Sequence, residues 1–180
     1  MKSLEEITEE RIFYHFNEIS KIPRGSGNEK QISDYLINFG RNLGLECIQD
    51  SALNVIIKKS ASKGYEKAPT VILQGHMDMV CEKNNHKVHD FTKDPIKLIV
   101  KDDYIYADET TLGGDDGIAI AYAMAILEDD TIEHPAIEVL ITTDEETGMT
   151  GANAVQSKYL NGKIVLNLDS EEEGKLCVSC

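Results

Sequence analysis

The stretch "VILQGHMDMV", residues 71–80, places a histidine and an aspartate directly after an apolar run. Side chains of an extended chain alternate between two faces, so His76 and Asp78 point to the same side if the strand continues that far. This spacing suits a metal-binding histidine whose ring is held by a carboxylate. The alternative is a hydrogen-bonded histidine at the end of a core strand, and the H-x-D pattern alone does not separate the two.

Helices and strands alternate on both sides of this stretch. A capping-box pattern at Ser3 predicts one helix that reaches about Ile22, and helical spacing predicts a second from Asn28 to Gly44. Runs rich in β-branched and aliphatic residues predict strands at "LECIQ", "NVIIKK", "TVILQG", "IKLIV", "YIYA", "AIEVLITT" and "KIVLNLD". Further helices are predicted at "DGIAIAYAMAILED" and around "GANAVQSKYL". The pattern indicates an α/β fold: a mixed, mostly parallel sheet flanked by helices.

Composition narrows the class of protein. The 180 residues suit one domain, and 18 basic against 32 acidic residues give a net charge of −14, which disfavours nucleic acid and anionic membranes as partners. A soluble cytoplasmic protein is expected. Four scattered cysteines are too few for a disulfide scaffold, and the final "CVSC" lacks the second pair or helix start that a zinc or redox site needs.

Acidic residues follow several of the predicted strands. Asp144, Glu145 and Glu146 come after "EVLITT", Asp169 comes after "IVLNL", and the pair 115–116 follows two glycines in "LGGDDGIAIA". Each alone suits a helix cap, a turn or a solvated loop. Together they predict one site at the carboxyl edge of the sheet, where open α/β sheets bind ligands. One imidazole with several carboxylates suits zinc, and also manganese or cobalt.

The adjacent glutamates add a chemical prediction. One of them can bind metal while its neighbour takes a proton from metal-bound water, which is a hydrolase arrangement. Magnesium-assisted phosphoryl transfer also uses carboxylates at strand ends. However, the sequence has neither a P-loop nor a basic cluster beside these acids to hold a phosphate.

Four ordered motifs carry a resemblance to a known family. "GHMDMV", "GGDDGIA", "TTDEETGMTGA" and "LNLDSEEEG" resemble the metal and catalytic motifs of the co-catalytic zinc exopeptidases, which include aminoacylases, glutamate carboxypeptidases and dipeptidases. Within that family, "HMDMVCEKNNHKVHDFTKDPI" and "DSEEEG" are most similar to the dipeptidases that cleave aminoacyl-histidine (Xaa-His) substrates. The resemblance implies a zinc-exopeptidase-like catalytic domain and a cis peptide bond between Asp115 and Asp116.

The resemblance also implies a role for each site residue. His76 and Asp169 are implied ligands of one metal, with Asp78 orienting the histidine ring. Asp115 is implied to bridge both metals, and the second metal takes one further ligand, Glu146. Two Zn²⁺ ions are expected, with Mn²⁺ or Co²⁺ as possible substitutes.

The implied reaction is hydrolysis of a dipeptide. In the reaction that the resemblance implies, a metal-bridging water would lose its proton to Glu145 and attack the carbonyl, after which Glu145 would deliver that proton to the leaving amine. An N-acyl amino acid hydrolase of the same family is the alternative for the substrate. The alternative to an enzyme is a catalytically silent metal-binding fragment.

Family members are longer than this chain. Residues 1–180 are therefore expected to form the amino-terminal part of the catalytic domain, without the lid or dimerisation domain and the C-terminal catalytic part. A small peptide is the expected substrate, and the full-length protein is expected to be a homodimer.

Overall fold

A computed structural model describes residues 3–170, 174–175 and 177–178. Residues 171–173 of the acidic run "DSEEEG" and the last cysteine of "CVSC" lie outside the described residues. In the described part, none of the helices combines the length and apolar character that a membrane span requires.

The helices are α1 (Leu4–Ile7), α2 (Arg11–Ser20), α3 (Lys30–Asn42), α4 (Gly114–Glu128) and α5 (Thr150–Ala154), with a short 3₁₀ helix at Ser157–Tyr159. The strands are β1 (Glu46–Gln49), β2 (Val55–Lys59), β3 (Val71–His76), β4 (Leu98–Lys101), β5 (Tyr104–Ala107), β6 (Ile137–Thr142) and β7 (Ile164–Asn167).

The central sheet has five strands in the order β1-β2-β6-β3-β7. β3 is parallel to both β6 and β7, whereas β2 is antiparallel to β1 and β6. Four of the five strands therefore point the same way, which confirms the predicted mixed, mostly parallel sheet. β4 and β5 form a separate antiparallel hairpin.

Both faces of the sheet are covered, because side chains alternate between the two faces along each strand and pack into a cluster on each face. Ile57, Leu73 and Val139 belong to the main core with α2, α3 and α4. Their neighbours Ile56 and Ile72 belong to a smaller cluster on the opposite face, which packs against residues just after α5 and in the 3₁₀ helix. Helix α4 is apolar almost all round, because it lies between β3 and α2.

The prediction of one continuous helix from Ser3 to about Ile22 is wrong, because the structure has two helices there, α1 and α2. The capping box at Ser3 is present, with the Glu6 amide donating to Ser3 Oγ and the Ser3 amide donating to Glu6. The Thr8 hydroxyl donates to the carbonyl of Glu5 at 2.9 Å, and the chain leaves the helix there. Side-chain bonds of this kind compete with helical backbone bonds.

Candidate metal centre

The parallel strands deliver their last residues to one edge of the sheet. In β3, His76 is the final residue and is the register partner of Thr142 at the end of β6. The acids 144–146 follow β6, and Asp169 follows the neighbouring strand β7. Helix α4 begins at the same edge, after Gly113 in the left-handed conformation. The peptide bond between residues 115 and 116 is cis, which confirms that prediction.

The side chains of the predicted ligands lie close together. His76 Nε2 is 2.9 Å from Asp115 Oδ1 and 4.0 Å from Glu145 Oε2. Two groups have all their ligand atoms within 4.8 Å of one another: His76 with Asp115 and Glu146, and His76 with Glu145 and Asp169. The expected set of His76, Asp115 and Asp169 is thus divided between two groups that share the histidine. The geometry brings all the predicted ligands together but does not separate the roles of Glu145 and Glu146.

Asp78 is completely buried and accepts bonds from four groups. Its Oδ1 lies 3.3 Å from His76 Nδ1 and accepts the Glu145 amide at 3.0 Å. Its Oδ2 accepts the Ser26 hydroxyl at 2.7 Å and the Glu146 amide at 3.2 Å. Burial alone would raise the pKa of Asp78, but these bonds outweigh burial and lower it to about 2. One carboxylate therefore orients the histidine ring and the backbone of both glutamates.

The remaining two acids of these motifs have other contacts. Asp116 is buried and accepts the main-chain amide of His76 at 3.2 Å; burial, opposed by that bond, raises its pKa to about 7. The carboxylate of Asp144 accepts hydrogen bonds from the hydroxyl groups of Thr147 and Thr150. It has a positive φ of 55° and forms a turn, so its carboxylate is held within its own loop.

Negative charge accumulates around the single imidazole. Burial alone would lower the pKa of His76, but its bonds to Asp78 and Asp115 raise it to about 9. The pKa of Glu146 is raised, first by burial and then by the neighbouring charge of Asp115. Carboxylates that share a small volume contribute to both shifts, and a cation among them reduces their mutual repulsion.

The segment "PRGSGNE", residues 23–29, is not among the motifs from which the site was predicted, yet it contacts the site. Ser26 binds Asp78, and the buried Glu29 accepts the amides of Gly27 at 3.0 Å and Asp144 at 3.2 Å. An acid and a serine hydroxyl near two glycines are the only signal in this segment of the sequence. That signal does not say which loops these side chains reach, because the contacts span more than 50 residues of chain.

The donor set fits a divalent transition metal. The Nδ1 atom of His76 faces Asp78, so Nε2 is the atom directed at the other carboxylates. An imidazole held by a carboxylate, with several further carboxylate oxygens, is a donor set that zinc, manganese and cobalt accept.

Comparison with known proteins gives consistent matches. The model of "Peptidase family M20/M25/M40" matches residues 72–175. The cytosol non-specific dipeptidase of Escherichia coli (strain K12) is 40% identical over 180 residues, which are 100% of this chain and 37% of that relative.

Solved structures of peptidases are also similar to this chain. The aminoacylhistidine dipeptidase from Vibrio alginolyticus has a TM-score of 0.92 and 40% identity, covering 96% of this chain and 35% of that one. A tripeptidase from Staphylococcus aureus has a TM-score of 0.76 and 29% identity, covering 90% of this chain and 43% of that one. The chain thus spans little more than a third of the length of its 40%-identical relatives. Because the family model matches more than half of the chain, we conclude that the chain belongs to peptidase family M20/M25/M40.

Proposed function

We propose that this chain carries the metal-binding residues and the general base of a metal-dependent dipeptidase, with Xaa-His and other dipeptides as substrates. The observation that carries the proposal is the convergence of one imidazole and four carboxylates at the carboxyl edge of the sheet. The dipeptidase names of the 40%-identical relatives support the substrate class. The name of the Escherichia coli relative, a cytosol dipeptidase, supports a cytoplasmic location, and the homodimer stays a prediction.

Four residues would hold the metal: His76, Asp115, Glu146 and Asp169. Two ions are proposed, zinc in the first instance, with manganese or cobalt as substitutes. When bound, such ions polarise a peptide carbonyl and lower the pKa of water. Asp78 acts through His76 by fixing the ring that binds metal.

Glu145 is the proposed general base. Its side chain is 28% exposed, so it is partly shielded but still reachable from solvent. Its backbone amide is held by Asp78, which fixes where the side chain begins. Glu145 takes a proton from the attacking water and returns it to the leaving amine, and two such transfers are what peptide hydrolysis requires of a general base.

The proposal is tested by turnover of three substrates: alanyl-histidine, dialanine and N-acetylalanine. Rates are measured after metal removal and after titration with Zn²⁺, Mn²⁺ or Co²⁺. We expect metal-dependent hydrolysis of both dipeptides and little of the acetylated amino acid. Faster hydrolysis of N-acetylalanine would instead assign the protein to the N-acyl amino acid hydrolases. Bound metal without turnover of any substrate would identify a catalytically silent metal-binding chain.

A further inference from the structure

Arg24 is a buried arginine that joins two loops of the metal centre. Only 2% of the residue is exposed. Its Nη1 donates to the carbonyls of Met77 at 3.0 Å and Asp78 at 3.3 Å, and its Nη2 donates to the carbonyl of Gly113 at 2.5 Å. Residues 77–78 follow His76, whereas residue 113 lies two positions before Asp115. One guanidinium therefore fixes the backbone of both loops.

The surrounding sequence leaves room for this guanidinium. A Cβ atom at Gly113 would lie 2.4 Å from Arg24 Nη2, and one at Gly117 would lie 2.5 Å from the same atom. Arg24 is also anchored by its main chain, because its carbonyl accepts the Met79 amide at 3.1 Å. The space for the side chain is therefore set by glycines on either side of the acids at 115 and 116.

The charge of Arg24 complements the acids around it. Burial lowers the pKa of Arg24 to about 10, and the charges of Asp78 and Asp116 oppose that lowering. At neutral pH the side chain therefore keeps its positive charge. A planar guanidinium offers several donors in a fixed fork, whereas lysine concentrates its donors at one atom and cannot span two loops in the same way.

We propose that Arg24 is a positioning residue, which sets the separation between the loop of His76 and Asp78 and the loop of Asp115, and thereby the metal affinity of the site. The inference rests on the proposed function, since it concerns the same metal centre. Arg24 is not one of the four proposed metal ligands. Its effect passes through Asp78, whose carbonyl it binds, and through the backbone that precedes Asp115.

If Arg24 only stabilised the fold, replacing it would lower the melting temperature and leave zinc affinity unchanged. Another buried cation of the chain, Lys59, provides a matched control for that case. Lys59 is 9% exposed, and its Nζ also donates to three main-chain carbonyls, those of Ile126, Leu127 and Asp129. These carbonyls lie at the end of α4, about 15 Å along the helix from Gly117 at 1.5 Å per residue. Lys59→Met therefore removes a buried cation of β2 that binds the C-terminal end of α4, away from the metal centre.

The experiment compares Arg24→Lys, Arg24→Met, Gly117→Ala and Lys59→Met with the unmodified protein. Zinc affinity is measured by competition with a chromogenic chelator, the ligand geometry by the visible absorption of the Co²⁺-loaded protein, and folding by thermal unfolding without metal. Gly117→Ala retains Arg24 and its charge but pushes the guanidinium out of place.

We expect both Arg24 variants and Gly117→Ala to bind zinc about 10- to 100-fold more weakly, with an altered Co²⁺ spectrum. Lys59→Met should lower the melting temperature and leave zinc affinity and spectrum unchanged. If Arg24→Met does not fold, Arg24→Lys and Gly117→Ala decide the question. Folded Arg24 variants that bind zinc within about twofold of the unmodified protein, with an unchanged spectrum, would overturn the inference. Failure of the unmodified protein to bind zinc would instead overturn the proposed function.

Discussion

At the scale of single residues, Asp78 explains why a carboxylate is needed beside the histidine. Its two oxygens face four partners: the His76 ring, the Ser26 hydroxyl and two backbone amides. An ionised carboxylate has acceptor capacity for all four, whereas an asparagine side chain would replace one acceptor oxygen by a donor. The H-x-D spacing in the sequence predicted the bond to the ring. The amides of 145 and 146 belong to the loop after β6, and their bonds to Asp78 are visible only in the fold.

The adjacent glutamates should be separable by mutation in the active protein. Glu145→Gln keeps the size of the side chain and removes the proton acceptor, so turnover should fall about 10²- to 10⁴-fold while metal stays bound. Glu146→Gln removes a charged ligand, so metal should bind more weakly and activity should partly recover in excess zinc. The measurement is metal stoichiometry and rate across a zinc series. Because Glu145 also lies within ligand distance of His76 and Asp169, metal loss by Glu145→Gln with rescue by zinc would show that the two roles are reversed.

At the scale of elements, the contact between β3 and α4 depends on Gly75. A Cβ atom there would lie 2.4 Å from Asp116 Oδ2 and 3.1 Å from Ala119 Cβ. Gly75→Ala should therefore push α4 away from β3 and destabilise the fold by about 1–3 kcal/mol, the usual cost of overpacking. Denaturant unfolding measures this free energy. Gly114→Ala is the control, because its Cβ would meet only Leu112 Cδ2 at 3.7 Å; equal losses for both variants would contradict the steric explanation.

The contact between α2 and α4 should make stability depend on pH. His15 is buried between the rings of Tyr14 and Phe39, with Nε2 3.0 Å from Glu128 Oε1. Burial lowers the pKa of His15, while Glu128 opposes the shift, Arg11 adds to it and Glu18 opposes it weakly. The unfolded chain thus binds this proton more readily than the folded one. Stability should fall as pH drops below about 6.5, the ordinary histidine value.

Replacing this histidine tests that explanation. His15→Phe keeps an aromatic ring and removes the titrating group, so the slope of unfolding free energy against pH between about 7 and 5 should decrease. One proton contributes at most about 1.4 kcal/mol per pH unit. The pKa of Glu128 is also lowered, chiefly by its bond to Arg11, so its contribution is lost only at more acidic pH. His86→Phe at an exposed position is the control, and an equal change of slope in both variants would refute the role of His15.

How much the sequence predicts depends on the range of the interactions. Strands follow local apolar patterns, and each predicted strand is present to within about two residues at its ends. The break between α1 and α2 was missed, because Thr8 is compatible with a helix until its hydroxyl binds the Glu5 carbonyl. The convergence of Glu145, Glu146 and Asp169 could be predicted because these acids follow strands, whereas Asp115 was singled out by the glycine pair before it. Arg24 was missed, because its acceptors at 77, 78 and 113 are far away in sequence.

At the scale of the whole molecule, two features of the surface have opposite effects on association between copies of the chain. The net charge of −14 keeps copies of the chain apart. The site adds to that charge, since a cluster of acids is gathered at one edge of the sheet. Strand β7 favours association, because Ile164, Val165 and Leu166 are 42%, 57% and 48% exposed. Within the described residues this strand pairs on one side only, with β3.

An apolar edge strand with a free side is a template for pairing with another chain. We therefore expect the 180-residue chain to self-associate as its concentration rises, and more strongly at about 500 mM than at about 50 mM salt, because salt screens the repulsion between copies. Val165→Lys should suppress this association, since a charge on an edge strand opposes pairing. Ile132→Lys adds the same charge at another exposed apolar residue, outside the strands, and should have little effect. Sedimentation velocity of the three proteins at both salt concentrations makes the comparison. Equal suppression by the two lysines would show that net charge, and not the edge of β7, controls association.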